Sequence, residues 1–281
     1  MTTVRYASSS KQFTFRSDRP LSNDQISYHA PSVMASVPHE SRGEKYSFIP
    51  TIQVIDGLRE QGFMPYEVRQ TKCRDVGKRD FTRHMVRMRH ADLITLDQKQ
   101  EVPEIILLNS HDGSSSYQVL AGYFRMVCSN GLIAGQMTDD IRVRHTGNVV
   151  DDVIEGSFEV VDTLKRIEAK KEVFKQIQLD WDERVIFANA AAMSRWSGDN
   201  APIDPQRLLA VRRAEDQDND LYTVYNRIQE NILRGGQRGR SSTGRRMTTR
   251  AVSGLTEDVK INRALWALTE KMATLKGATI Q

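Results

Sequence analysis

Two cysteines in 281 residues, Cys73 and Cys128, are too few for a disulfide scaffold or a four-thiolate zinc site. No apolar run approaches the ~18 residues of a membrane span. The longest aliphatic cluster, Ile105 to Leu108, is the size of a strand. The opening MTTVRYASSSKQFTF lacks the apolar core of a secretory signal. Hydrophobic residues reach 39%, under the globular average of about 45–50%. Gly-Lys-Ser/Thr never occurs, which excludes a Walker-type phosphate loop, and no Gly-x-Ser-x-Gly nucleophile elbow exists. None of the six histidines forms a helical His-x-x-x-His pair. These absences leave a chain expected to be cytoplasmic, to need no membrane and no cofactor, and to hold one large domain or two modest ones.

What is present is positive charge in two places. Between Arg69 and His90 eight Lys/Arg face only Asp75 and Asp80, and between Arg234 and Arg250 six arginines face no acid. Each segment carries +6, so a net charge of +4 leaves the remaining residues at −8. Concentrated cations on an otherwise acidic chain point to a polyanionic partner, although a basic run is commonly just a solvated face.

The patterning predicts an α+β fold in three parts: an N-terminal arm over 1–46, an α+β core with a basic hairpin over 47–200, and a helical part over 201–281 with an Arg/Gly-rich loop at 234–250. In the arm, Pro20, Pro31, Pro38 and Pro50 interrupt any periodicity, leaving it disordered or laid on a neighbouring subunit. Ile52, Ile55, Leu58 and Arg59 behind Pro50, closed by Gly62, make a short helix over 51–61. Phe63–Cys73 and Phe81–His90 read as strands joined through Asp75–Asp80, with further strands at Glu104–Asn109 and Ser116–Cys128, and shorter ones at Leu132–Gln136 and Ile141–His145. Beyond Gly147 the period becomes helical, with a long helix from Val150 towards Leu179 and others over Asp182–Trp196, from Asp204-Pro205, over Asn219–Leu233 and from Thr256. The arginine stretch between the last two, rich in Gly, Ser and Thr, reads as a flexible loop.

Candidate chemistry is sparse. Cys128 with His111 or His145 is a conceivable nucleophile, but a strand-end cysteine is more often a small hydrophobe. His111-Asp112 with Asp139-Asp140 would suit a metal-dependent nuclease, yet Asp112-Gly113 and Asn130-Gly131 are also ordinary turn dipeptides. On the strand 81–90, Arg83, Arg87 and Arg89 share one face, with His84 and His90 on the other. Cations at every second residue lie about 6.6 Å apart, near the phosphate spacing of an extended single strand. Tyr66 and Phe81 are candidate stacking platforms, or equally core residues. The residues expected to contact phosphates are therefore Lys72, Arg74, Lys78, Arg79, Arg83 and Arg87 on the hairpin, and Arg234, Arg238, Arg240, Arg245, Arg246 and Arg250 on the loop, with Arg125 beside them.

The stretch from Leu108-Asn109-Ser110-His111-Asp112-Gly113-Ser114 through Phe124 to Leu132 resembles the hallmark of a family of uncharacterised phage- and plasmid-encoded bacterial proteins. Asn231-Ile-Leu-Arg-Gly-Gly and Thr256 to Met272 are similar to later parts of that family. The resemblance implies a mobile element in a bacterial host and supplies no mechanism. In organisation, the short helix, basic hairpin, strands and long helix are similar to the core of single-strand annealing recombinases, which assemble into rings or filaments around DNA. The expectation is a non-enzymatic, homo-oligomeric DNA-binding protein that anneals or protects single-stranded DNA in homologous recombination, with no catalytic or metal residue. The alternatives are the metal-dependent nuclease and a non-enzymatic inhibitor of host defence. Six phosphate contacts on a single strand would give a salt slope of about −4 in a fluorescence anisotropy series. Flat anisotropy at low salt would refute the DNA-binding reading.

Overall fold

Alternating side chains between Phe63 and His90 require an extended hairpin, and a seven-stranded sheet is built around it. The computed structural model describes residues 12–43, 46–90, 101–125, 130–133, 141–142, 149–196, 201–241 and 243–279. They fold as two compact units. One comprises Met1–Leu132, Met137–Leu164 and Ser253–Leu255; the other comprises Ile133–Gln136, Lys165–Val252 and Thr256–Gln281.

In the first unit the strands are β1 (Gln12–Arg16), β2 (Phe63–Thr71), β3 (His84–His90), β4 (Glu101–Asn109), β5 (Gln118–Arg125) and β6 (Asn130–Ile133), in that spatial order, with β7 (Ile141–Arg142) pairing β5. The pairs from β1 to β5 are antiparallel, and Val68 lies opposite Val86 in the β2–β3 register. A 3₁₀ turn, Val76–Phe81, joins β2 to β3; the Asp75 carboxylate caps it by accepting from the Gly77 N–H at 2.9 Å. The segment expected as an arm supplies β1, helix α1 (Asn23–His29) and a 3₁₀ turn at Pro31–Met34. Ser22 and Gln25 close a capping box on α1, and Leu21, Ile26, Ala30 and Val33 are buried. Pro31 opens that turn and Pro50 caps α2 (Thr51–Glu60), so these prolines set boundaries within a folded region.

The arginine alternation on β3 is real, but both faces of the strand are covered. Arg87, 1% exposed, donates to Glu104 at 2.6 Å, and Arg89 donates to the other Glu104 oxygen at 2.8 Å. The Arg89 guanidinium lies over the rings of Tyr66 at 4.6 Å and Phe124 at 4.3 Å, and Arg16 covers Phe124 at 4.4 Å. This corrects one expectation and decides another. Arg87 is an internal ion-pair partner rather than a phosphate contact, because its charge is already committed inside the sheet. Tyr66 is likewise buried beneath an arginine rather than offered to a base. Gly131 also differs from a left-handed turn residue: it lies in β6 without positive φ, and a Cβ there would stand 2.4 Å from the Arg87 guanidinium carbon.

A second polar cluster is buried around His84, whose ring nitrogens lie 2.9 Å from the Ser32 hydroxyl and 2.9 Å from the Thr51 hydroxyl. Asn109 donates to Thr51 at 3.0 Å, and His111 packs between His84 and Phe48 at ring distances of 5.1 and 4.7 Å. Burial holds both histidines neutral. It depresses His84 well below the ordinary range, helped by His111, and depresses His111 to about 4 against opposing effects of the Ser32 backbone and Asp112. Glu67 is also fully buried, which alone would raise its pKa. Arg16, Arg87 and Arg69 together outweigh that and hold it near 2.

In the second unit, helix α3 (Val149–Gln176) contributes from Lys165 onward, followed by α4 (Trp181–Arg195), α5 (Leu221–Arg234), a hairpin of β8 (Arg238–Arg240) and β9 (Arg246–Thr248), and α6 (Leu255–Leu275). Asp180 with Glu183 caps α4, and Asp220 caps α5. Trp266 is fully buried against Phe174 at 5.5 Å and Tyr225 at 6.0 Å. Asp204-Pro205 opens only a 3₁₀ turn, Pro205–Leu209, where a helix was expected. No helix among the described residues is long and apolar enough to cross a membrane.

The histidine pair predicts an acid-labile fold. Both native pKa values lie below the ordinary 6.5, so on acidification the unfolded chain takes up protons that the native chain refuses. Stability is therefore full above about pH 6.5 and declines towards pH 4; His111 alone contributes a loss of about 2 kcal/mol between about pH 7 and pH 5. Urea midpoints at the two pH values measure this, and His111→Leu should reduce the difference, leaving the part that His84 contributes. An unchanged slope in that variant would refute the assignment to His111.

Candidate nucleic-acid interface

The arginine stretch after α5 is ordered by its glycines. Helix α5 ends into Gly235 and Gly236 with φ of +64° and +79°, which turn the chain back on itself. A Cβ on Gly235 would stand 2.6 Å from the carbonyls of Thr249 and Arg250. The Gly236 N–H donates to the Thr249 carbonyl at 2.8 Å and the Thr249 N–H to the Gln237 carbonyl at 2.9 Å. The strands then pair Arg238 with Thr248, Gly239 with Met247 and Arg240 with Arg246. Gly239 is seated on Pro202, where a Cβ would stand 1.8 Å from the Pro202 oxygen, and the Arg240 N–H donates to that oxygen at 2.7 Å. Gly239 and Met247 share the inner side, so alternation turns Arg238, Arg240, Arg246 and Thr248 outward, all exposed. The flexible loop expected here is thus a paired hairpin.

The outward arginines border a trough of about 820 Å³ whose lining also includes Arg207 and Asp204. Asp204 accepts from the Gln206 N–H at 2.9 Å as the cap of its turn, which leaves four guanidinium groups around one engaged carboxylate. Arg207 lies outside both dense basic segments, and only the helix start expected at Asp204-Pro205 marked its neighbourhood in the sequence.

Beneath the hairpin, Asn231 is a buried hub. Its amide donates to the carbonyls of Leu208 at 2.8 Å and Ala210 at 2.9 Å, and its oxygen accepts from Arg212 and from Gln237 at 2.6 Å. The Asn231-Ile-Leu-Arg-Gly-Gly run is therefore structural: it ties the end of α5 to the trough and turns the chain into β8. Arg234 lies 3.2 Å from Glu230, which Arg213 also pairs at 2.8 Å. Arg245 and Arg250 are exposed, and the Arg250 carbonyl accepts from Arg195.

In the first unit, Lys72, Arg74 and Arg79 are exposed and Lys78 is half-buried on the β2–β3 connection. Arg83 donates to the Ser114 carbonyl, and Arg125 is half-buried 3.7 Å from Glu101. Phe81 packs edge-on against His39 at 5.2 Å. The Asp112 carboxylate accepts from the Ser114 N–H at 2.9 Å and so serves its own turn. Cys128, Asp139, Asp140 and His145 lie outside the described residues. Among the described residues no three His, Cys, Asp or Glu side chains are grouped to hold a metal.

Gly239→Ala would force the hairpin off the Pro202 carbonyl and destabilise the protein by about 1–3 kcal/mol. Gly43→Ala, where a Cβ meets nothing within 4 Å, is the neutral comparison. Urea unfolding of both variants measures the difference, and equal midpoints would refute the seating of the hairpin.

The chain is 46% identical over 259 residues to UPF0380 protein YafZ of Escherichia coli (strain K12), which covers 92% of this chain and 94% of the relative. It shows the same identity and coverage with UPF0380 protein YfjQ of the same organism. No solved structure matches the chain. Residues 38–266, spanning both the β4–β5 region and the hairpin, match the family described as Domain of unknown function (DUF932). The chain belongs to the DUF932 family.

Proposed function

We propose that this protein binds single-stranded nucleic acid, DNA in the first instance, through the outward face of the β8–β9 hairpin. The observation that carries the reading is four arginines around one trough with a single carboxylate already engaged as a turn cap. Arg238 and Arg240 stand two residues apart on one strand, about 6.6 Å, which suits successive phosphates of an extended strand. Guanidinium groups also stack on bases, so such a face binds with little regard to sequence. The exposed Lys72, Arg74 and Arg79 add a second cationic surface in the first unit. Annealing of complementary strands by an assembly of copies, in the service of a mobile element, is the finer form of this reading. The likeness in order of elements to annealing recombinases supports it.

A triple variant, Arg238→Ala with Arg240→Ala and Arg246→Ala, tests the reading against a labelled single strand in an anisotropy salt series. With three phosphate contacts removed, affinity at low salt should fall at least tenfold, and the slope should shrink by about 2. Retained affinity and slope in a folded triple variant would overturn the assignment.

A further inference from the structure

The first unit places an exposed aromatic across a trough from a cation. Tyr28, at the end of α1, is 79% exposed, an unusual state for so large a ring. Next to it the ring of His29 stacks flat on Phe15 at 3.9 Å and 3° between planes, with Tyr28 edge-on to His29 at 4.9 Å. Tyr28 and His29 border a trough of about 440 Å³ whose lining also includes Arg79 and Asp80 from the 3₁₀ turn between β2 and β3. Val76 of the same turn is 84% exposed, a second apolar group offered to solvent there.

The two walls are held together from inside. Gln70 is fully buried; its oxygen accepts from the Ser32 N–H and hydroxyl, each at 3.0 Å, and its amide donates to the Arg79 carbonyl at 2.7 Å. Thr82 adds a bond to the same carbonyl at 3.2 Å. One side chain thus fixes the backbone that carries Arg79 to the turn that follows Tyr28 and His29. The connection bears Lys72, Arg74, Lys78 and Arg79 against Asp75 and Asp80, and Asp75 is engaged as the turn cap.

We infer that this trough is a base-stacking subsite for a nucleic acid strand: a nucleobase lies on the Tyr28 ring, and Arg79 with its neighbouring cations takes the flanking phosphates. The inference rests on the single-strand reading above and assigns to the first unit a contact that the arginine hairpin of the second does not supply. An exposed aromatic ring across a trough from Arg79, on a connection that carries three further cations, matches the alternation of base and phosphate along an unpaired strand. Gln70 is a positioning residue that acts through the Arg79 backbone.

Anisotropy with a labelled oligothymidine and with an abasic strand of equal length tests this on the full chain. Tyr28→Ala should weaken oligothymidine binding about tenfold with an unchanged salt slope, because stacking releases no counterions. Tyr28→Phe should retain wild-type affinity, and Tyr28→Ala should bind the abasic strand as the wild type does. Arg79→Ala should lower the slope by about 0.7. Wild-type binding of oligothymidine by Tyr28→Ala, or an equal loss on the abasic strand, would overturn the subsite while leaving the hairpin reading to stand on its triple variant. Failure of the wild type to bind any strand would overturn both. A Tyr28-dependent preference for an acidic peptide over the strand would overturn the subsite in favour of a protein partner.

Discussion

Glu104 holds two arginines inside the sheet, and much of the first unit follows from that arrangement. A carboxylate and two guanidinium groups removed from water are tolerable only when the geometry satisfies them together; removing one partner of such a buried set typically costs about 3–5 kcal/mol. Here both Glu104 oxygens are used, one for Arg87 and one for Arg89. A slip of one residue between β3 and β4 would turn the arginines to one face and the glutamate to the other. The ion pairs therefore fix the register, and the register sets where the β2–β3 connection emerges with its exposed cations. Gly131 in β6 belongs to the same arrangement, since the Arg87 guanidinium occupies the space a side chain would need.

This burial divides the basic residues into two populations that charge counting cannot separate. Arg16, Arg87 and Arg89 neutralise glutamates within the first unit, and Arg16 and Arg89 also cover aromatic rings. Arg195, Arg212 and Arg213 brace the end of α5 and the segment after it. Exposed cations include those of two short connections, one in each unit, each anchored by a buried polar residue: Gln70 under the first, Asn231 under the second. In both places a carboxamide does what a charged residue could not do at so low a desolvation cost, binding backbone carbonyls and donors at once.

Period and punctuation made much of the fold legible. The helix behind Pro50, the strands from Phe63 to His90 and from Glu101 to Arg125, and the long helix after Gly147 all carry strong repeats, and each is present within a few residues of its reading. The site was less legible. Alternation showed that Arg87 and Arg89 share a face of β3, but both faces are covered, and nothing local to the strand reveals what packs above it. The glycines between Arg234 and Arg250 suggested looseness by composition, whereas Gly235 and Gly239 are required by close backbone approaches to residues distant in sequence. Tyr28 and His29 escaped notice because proline spacing made their surroundings resemble an arm, and the β1–β2 pairing that anchors them is a long-range contact.

The seat of Gly239 on the Pro202 carbonyl bears on how the arginines meet a ligand. A mobile arginine–glycine tract must surrender its conformational freedom when it binds, and that loss is subtracted from every contact it makes. In this hairpin the chain is pinned by folding, so under the proposed reading its guanidinium groups would meet a strand from positions already spaced. The entropy of ordering would then be charged to the stability of the protein rather than to the encounter, and association would run at the pace of electrostatic capture.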